Sequence, residues 1–279
     1  WILDNIDGLT LSIDGRPSTQ DRQRPFASGR ASSPQVLETV AELDRRAYPY
    51  GIRMPSMPPW DDLPADVEYL ATHTSCRSIQ VEPTFNTDRG GHGQADEAEM
   101  LAFGRAFMQA WEIAERLGRR FYYSGARAAI RTGTFCSAPF QALITDIYGN
   151  LVSCYEVTCP SHPFHDLSRI GSVEPRTNTI HLDQPARRRL LDAIAARRRS
   201  CRDCFCYWTC AGDCYVRAFA PGADGHLERT PRCALNRFLT RELLLHLIAR
   251  SKGVWRGFLQ YASRLPENHA AEGNIPHDR

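Results

Sequence analysis

Two periods of apolar and polar positions alternate along the first 130 residues, which predicts strands and helices in turn. Leu9, Leu11 and Ile13 recur at every second position and are separated by polar residues, so they predict a first strand. Short apolar runs predict two further strands at Tyr50–Met54 and Ser78–Val81. This region therefore has the pattern of an α/β protein.

The segments that follow these strands have the helical period. Helices are predicted from Pro34, with Ser33 as N-cap, to about Ala47, at Asp62–Thr72 and at Asp96–Leu117. The last of them has one continuous apolar stripe, which we interpret as core packing: Met100, Phe103, Phe107, Trp111, Ala114 and Leu117. Three strand–helix units predict a parallel sheet, and three strands cannot close a barrel. The first strand then has an open edge, which is covered either by a partner or by residues upstream of Trp1, and we favour upstream residues.

The pattern changes after about Gly133. Two short strands, Ala142–Ile147 and Leu151–Tyr155, flank a turn in which Gly149 supplies a positive φ, so a hairpin is predicted. A basic helix is predicted at Pro185–Arg199, and another helix is predicted to end near Arg250. We expect a glycine-rich loop at Gly90, Gly91 and Gly93 and a disordered polar tail from about Pro266.

Composition narrows the class of protein without identifying it. The chain has 279 residues, of which 42% are hydrophobic and 24% are charged, so it is neither disordered nor fibrous. Its net charge of +2 gives no global basic field for nucleic acid. The longest apolar run, Leu243–Ala249, is too short to cross a bilayer, and no signal peptide is recognisable. We expect a cytoplasmic protein.

The ten cysteines are the informative feature. The spacing Cys201-x2-Cys204-x5-Cys210-x3-Cys214 includes a pair two residues apart, which lets both sulfurs face one metal from a single tight loop. A disulfide network is disfavoured for two reasons. The pattern has seven cysteines in all, with Cys136, Cys154 and Cys233, so one would stay unpaired, and disulfides need an oxidising compartment. Structural zinc remains an alternative to an iron–sulfur cluster, because it uses the same pairs of thiolates.

The complete cysteine pattern resembles the SPASM domain, the C-terminal auxiliary-cluster module of radical SAM enzymes that modify peptides and proteins. The matching residues are Cys136, Cys154, Cys201, Cys204, Cys210, Cys214 and Cys233, with Gly149 between the first two. The N-terminal part resembles the same enzymes independently. The stretch LSIDG at Leu11–Gly15, followed by DRQRP at Asp21–Pro25, is similar to the fourth strand and loop of their barrel, and Val81–Pro83 is similar to the sixth strand.

The resemblance implies two auxiliary 4Fe-4S clusters. An outer cluster would be held by Cys201, Cys204, Cys210 and Cys233, and an inner one by Cys136, Cys154 and Cys214. No cysteine lies between Cys136 and Cys154, so the fourth inner ligand is Cys159, with His162 or His165 as alternatives, or the site is open to substrate. We expect Cys206 to be a bystander and Cys76 to be a buried core thiol.

The resemblance also implies roles for four other side chains. Ser12 would meet the ribose or methionine end of S-adenosylmethionine (AdoMet), with Arg24 nearby. Glu156 and Glu82 are candidates for proton removal, and the alternative is that both are surface carboxylates of strands. Sulfatase-maturing relatives place an acidic residue directly after the cysteine that matches Cys154. Tyr155 occupies that position here, which argues against sulfatase maturation.

The basic runs of the predicted helix at Pro185–Arg199 have two interpretations. Arg187–Arg189 and Arg197–Arg199 form a solvated helix face, or they form a dock for an acidic leader peptide.

No C-x3-C-x2-C triplet, which holds the AdoMet-cleaving cluster of radical SAM enzymes, occurs in the chain. We therefore expect a C-terminal part of such an enzyme, in which AdoMet and a third cluster belong to the complete parent. The predicted domains are half of a partial (β/α)6 barrel at 1–132, an α+β SPASM domain at 133–240 and a terminal helix and tail at 241–279.

The expected substrate is a ribosomally made precursor peptide or a protein, with a leader-peptide-binding protein as a further partner and neither nucleic acid nor membrane among the partners. Two other classes of protein stay open at this point. One is a non-catalytic iron–sulfur scaffold, and the other is a zinc-binding interaction module.

Overall fold

A computed structural model describes residues 1–84, 96–221 and 227–251 of the chain. The predicted glycine-rich loop at Gly90, Gly91 and Gly93 and the predicted tail from Pro266 lie outside these ranges. Within them, no helix is both long enough and apolar enough to span a membrane.

The N-terminal part contains a parallel sheet of four strands in the order β1-β2-β3-β4. The strands are β1 (Leu9–Ser12), β2 (Tyr50–Ser56), β3 (Ser78–Pro83) and β4 (Arg120–Tyr123). A single turn, α1 (Ile2–Asn5), precedes them, and the connections between the strands contain α2 (Pro17–Gln23), α3 (Ser33–Arg45), a short 3-10 turn (Trp60–Asp62), α4 (Leu63–His73) and α5 (Glu97–Arg116). The predicted parallel sheet and its α/β class are confirmed.

The prediction of three strands in this part was wrong, because the sheet has a fourth strand, β4. This strand has only four residues, and it begins with the exposed Arg120. Phe121 and Tyr123 are buried whereas Tyr122 is half-buried, so the strand does alternate, but over a stretch too short to stand out.

One face of the sheet forms the main core. Strand residues such as Ile52, Val81 and Tyr123 are buried there against Phe103 and Phe107 of α5. Five of the six residues of the predicted apolar stripe pack in this core, whereas Leu117 lies just beyond α5 and does not. Cys76 is a buried core thiol, as expected.

The opposite face of the sheet is polar and partly exposed. Parallel register places four of its side chains in one row across the strands: Ser12, Arg53, Gln80 and Tyr122. The Tyr122 hydroxyl donates to Oε1 of Gln80 at 3.4 Å, so neighbouring strands are also linked along this row. The sheet therefore has one apolar face, which packs on α5, and one polar face.

A second sheet has four antiparallel strands in the order β5-β6-β7-β8. They are β5 (Ile144–Thr145), β6 (Asn150–Val152), β7 (Arg169–Glu174) and β8 (Thr179–Leu182), and the single turns α6 (Ala138–Gln141) and α7 (His165–Ser168) precede β5 and β7. The predicted hairpin is confirmed, with shorter strands than expected. Gly149 has a φ of 81°, and the Asp146 carboxylate accepts from the backbone N–H groups of Tyr148 and Asn150, which holds the turn.

The remaining elements are α8 (Gln184–Arg199), α9 (Tyr207–Cys210), β9 (Phe219–Pro221), β10 (Leu227–Arg229) and α10 (Arg232–Arg250). Helix α10 packs against α5 of the first part. Gly104 permits this approach, because a Cβ there would lie 2.8 Å from the Phe238 ring. The predicted boundary between residues 240 and 241 falls inside α10.

Candidate functional site

Five thiols line one cavity between α8, α9 and α10. They are those of Cys201, Cys204, Cys206, Cys210 and Cys233. Four of them are the cysteines expected to hold an outer cluster. Cys206, expected to be a bystander, faces the same cavity with only 2% of its surface exposed.

The donors of this cavity are soft and their surroundings are basic. Among the described residues that line it, the only carboxylate is Asp213, which is bound to other protein groups, and there is no histidine. Thiolate donors suit zinc or iron–sulfur clusters. The Arg197 guanidinium interacts electrostatically with Cys201, Cys210 and Cys233, so a cation offsets the negative charge that thiolates would carry. Within residues 1–84, 96–221 and 227–251, no three Cys, His, Asp or Glu side chains are arranged around a single metal-ion position.

A left-handed loop directs the chain from this cavity to a second group of cysteines. Ala211, Gly212 and Asp213 have φ values of 52°, 87° and 61°. Such backbone angles are costly for alanine and aspartate, and they persist where the surrounding structure fixes them. As a result Cys210 lines the first cavity, whereas Cys214 packs into the neighbouring apolar cluster.

The second group contains the cysteines expected to hold an inner cluster. The thiols of Cys154 and Cys214 both lie beside the Tyr215 phenol, and Cys136 interacts electrostatically with Cys154. Burial raises the pKa of Cys154, and it raises the pKa of Cys214 to about 12. Without a cation these thiols stay protonated at neutral pH, so a bound metal is what would convert them to thiolates.

The three proposed fourth ligands have other contacts. The Sγ atom of Cys159 lies 3.0 Å from the Ser161 hydroxyl, in an exposed turn. Nδ1 of His162 accepts from the Phe164 N–H at 3.0 Å. The buried His165 has its Nε2 atom 3.8 Å from the Asp146 carboxylate.

Cys159 is expected to be the thiol most readily alkylated at neutral pH in the metal-free protein. Its hydrogen bond with Ser161 lowers its pKa, so more of it is thiolate at a given pH. The alkylation rate of Cys159 should therefore rise at a lower pH than that of an ordinary exposed thiol. Ser161→Ala should shift this rise to higher pH. Mass spectrometry of iodoacetamide-treated protein measures both. Equal labelling of Cys159 and the buried Cys76 would contradict this prediction.

One buried arginine joins the sheet to the cysteine loop. Nε of Arg232 donates to the Asp213 carboxylate at 2.7 Å, and Nη2 donates to the Ser124 hydroxyl at 3.2 Å. Nη1 lies 3.6 Å from the Glu82 carboxylate, and the guanidinium stacks 4.9 Å from the centre of the Tyr123 ring. The loop between Cys210 and Cys214 is thereby held at the carboxyl ends of β3 and β4.

Asn236 completes this network. Its amide nitrogen donates to the Asp213 carboxylate at 2.6 Å and lies 3.5 Å from the Cys210 sulfur. Helix α10 therefore contributes two side chains that fix Asp213, and one of them contacts a candidate ligand directly.

The two candidate carboxylates both interact with Arg217. Glu82 is buried, and its Oε1 accepts from the Ser124 N–H at 3.2 Å. Glu156 is less buried and binds Nε of Arg217 at 2.8 Å. The Arg217 guanidinium also interacts electrostatically with Glu82 and Arg232. The structure thus brings together two carboxylates that are far apart in sequence, at the junction of the sheet and the cysteine loop.

The two candidate AdoMet-binding residues have different surroundings. Ser12 is exposed at the carboxyl end of β1, on the polar face. Arg24 donates through Nε to both oxygens of the buried Asp14 at 2.8 Å. Burial raises the pKa of Asp14 despite this contact, so Arg24 compensates a carboxylate that water no longer solvates.

Comparison with solved structures places this arrangement among known folds. A structure of hexahistidine-tagged anSMEcpe with bound AdoMet matches 94% of this chain and 71% of its own chain, with a TM-score of 0.65 and 13% identity. A structure of the native enzyme with AdoMet and the Cp18Cys peptide matches 91% of this chain and 72% of its own, with a TM-score of 0.64 and 14% identity. This enzyme is an anaerobic sulfatase-maturating enzyme of the radical SAM class. The chain has the same fold as this enzyme over the matched residues.

At 13–14% identity, the likeness to the radical SAM structures is one of fold. It agrees with the α/β class predicted from the sequence. No model of a known protein family matches the sequence, and no curated protein matches it.

Proposed function

We propose that this chain is part of a radical SAM enzyme that modifies a peptide or protein, and that its cysteines hold two auxiliary 4Fe-4S clusters. Cys201, Cys204, Cys210 and Cys233 hold the outer cluster. Cys136, Cys154 and Cys214 hold the inner one, with Cys159 as its candidate fourth ligand.

The observation that carries this proposal is the position of the cysteine loop relative to the sheet. In parallel α/β sheets, ligands bind outside the carboxyl ends of the strands. Arg232 holds the loop between Cys210 and Cys214 at the carboxyl ends of β3 and β4, and thiols from both candidate sets begin and end that loop. A redox group held there would lie next to the substrate site of a radical SAM fold.

When bound, AdoMet and its cluster supply the 5′-deoxyadenosyl radical that abstracts hydrogen from the substrate, and the auxiliary clusters supply an acceptor for a second electron. The residues of this chain bind and orient AdoMet and the substrate. Ser12, on the polar face, and Arg24 would bind AdoMet, and Glu156 or Glu82 would accept a substrate proton. We favour Glu156 for the proton, because it is less buried and its partner Arg217 is itself exposed.

AdoMet cleavage is proposed only for a protein that also contains a C-x3-C-x2-C triplet, because the 279 residues of this chain contain none. The structure of the similar enzyme with a bound peptide supports a peptide as the substrate class. Tyr155, which is 66% exposed, stands in place of an acidic residue after Cys154, so we propose a substrate other than a sulfatase. A ribosomally made precursor peptide in the cytoplasm, presented with or without a leader-binding partner, fits best.

Metal analysis tests the proposal directly. After anaerobic purification and reconstitution, we expect about eight irons and about eight sulfides per chain, because each 4Fe-4S cluster contains four of each. The visible absorbance should bleach on reduction. Zinc in stoichiometric amount without sulfide would contradict the proposal and favour an interaction module. Iron and sulfide without any AdoMet-dependent chemistry in the complete protein would favour a non-catalytic scaffold.

A further inference from the structure

Arg127 bridges the two candidate cysteine sets. It follows β4, and its guanidinium donates two hydrogen bonds to backbone carbonyl groups. Nη1 donates to the Phe135 carbonyl at 3.1 Å, and Nε donates to the Thr209 carbonyl at 3.2 Å. Phe135 immediately precedes Cys136, and Thr209 immediately precedes Cys210. One planar group therefore fixes the backbone next to a candidate ligand of each cluster.

The surroundings of this guanidinium are unusual for a structural arginine. It stacks 4.8 Å from the centre of the Phe135 ring, and its Nη2 atom is buried without a hydrogen-bond partner among the described residues. The ionisable groups that interact with it are Cys210, Asp213 and Cys136. Two of these three are candidate cluster ligands, so thiolates on both sides would face the same cation.

A separate backbone contact keeps the same two segments together. The Thr132 N–H donates to the Trp208 carbonyl at 2.7 Å. Loss of the Arg127 side chain would therefore leave this direct link between the segments that carry Cys136 and Cys210. Effects of its charge can then be separated from collapse of the site.

We infer that Arg127 is a positioning residue that sets the spacing of the two cysteine sets and provides one positive charge shared by both auxiliary clusters. This inference rests on the proposed function, since it requires clusters at both sets. A nearby cation stabilises the more negative, reduced form of a cluster, and the local dielectric of a buried site strengthens that effect. Removing the charge should lower the reduction potentials of both clusters together.

Three variants of the full chain separate charge from position. Arg127→Met removes both the charge and the two hydrogen bonds, and Arg127→Lys keeps the charge but cannot reach both carbonyls with a planar fork. Arg131→Met is the matched control, because Arg131 is exposed and stacks 4.8 Å from the centre of the Trp208 ring. Each reconstituted protein is analysed for iron and sulfide, for iron loss to a chelator, and for cluster potentials by redox titration followed by electron paramagnetic resonance.

We expect the signals of both clusters to shift to lower potential in Arg127→Met and to stay near the wild-type potential in Arg127→Lys. Both Arg127 variants should lose iron to a chelator several-fold faster than wild type, whereas Arg131→Met should match wild type in every measurement. A wild-type protein without iron and sulfide would refute the proposed function.

Fully loaded Arg127→Met with unchanged potentials, or with only one cluster shifted, would overturn the inference while leaving the proposed function intact. If Arg127→Met assembles no cluster, Arg127→Lys decides the positioning role, because chelator resistance equal to wild type would overturn it.

Discussion

Arg232→Met is expected to destabilise the protein by about 3–5 kcal/mol, since truncating one partner of a buried ion pair leaves the other charge buried and uncompensated. Arg232 is 4% exposed and compensates two buried carboxylates, those of Asp213 and Glu82. Methionine retains much of the volume and the packing on Tyr123 but none of the charge. Equilibrium unfolding in urea at neutral pH measures the change.

The matched control lies on the same helix. Arg241→Met removes an arginine that is 66% exposed and pairs with the neighbouring Glu242, so we expect a change of less than about 1 kcal/mol. Adding Asp213→Asn to Arg232→Met should recover part of the loss, because the second change removes one of the stranded charges. If Arg232→Met were no more destabilising than Arg241→Met, the buried network would not hold the cysteine loop to the sheet.

The elements that could be predicted from the sequence are those with a long repeat or a distinctive turn. Helix α5 has a continuous apolar stripe along its length, and the hairpin of β5 and β6 has a glycine at the position that requires a positive φ. Strands β7 and β8 were missed. Three of the four residues of β8 are exposed, so no alternation of apolar and polar side chains marks it as a strand.

The contacts between the sheet and the cysteine loop could not be predicted, because each is made by a single charged residue on a separate element. Glu82, Asp213 and Arg232 come from a strand, a loop and a helix, and none belongs to a periodic pattern. Arg127 is equally isolated in the sequence. By contrast, Arg53 and Gln80 could have been assigned to the polar face from the alternation along β2 and β3, although not to the same row as Ser12. Register between strands, which no local pattern encodes, is what aligns them.

Cys210→Ser is expected to remove one of the two clusters and about half of the iron, because a 4Fe-4S cluster uses four cysteine thiolates. Cys206→Ser is expected to keep the full iron content, although Cys206 lines the same cavity. Five thiols line this cavity, whereas a 4Fe-4S cluster takes four thiolate ligands. The two variants therefore test which cysteine is not a ligand. Iron and sulfide analysis, with the number of distinct cluster signals in electron paramagnetic resonance, measures the outcome.

The contacts of the two thiols explain the expected difference. The Cys206 thiol points to the Asn236 backbone carbonyl, with the sulfur 4.0 Å from that oxygen. Burial raises the pKa of both Cys206 and Cys210, so their hydrogen-bond partners are what distinguishes the two thiols. A thiol that donates to a carbonyl is held in its protonated form, which is a poor ligand. Cys210 instead receives the Asn236 side-chain amide at 3.5 Å, a donor that stabilises a thiolate. Equal iron loss in both variants would show that Cys206 is a ligand. One of the other cysteines proposed for the outer cluster would then not be a ligand.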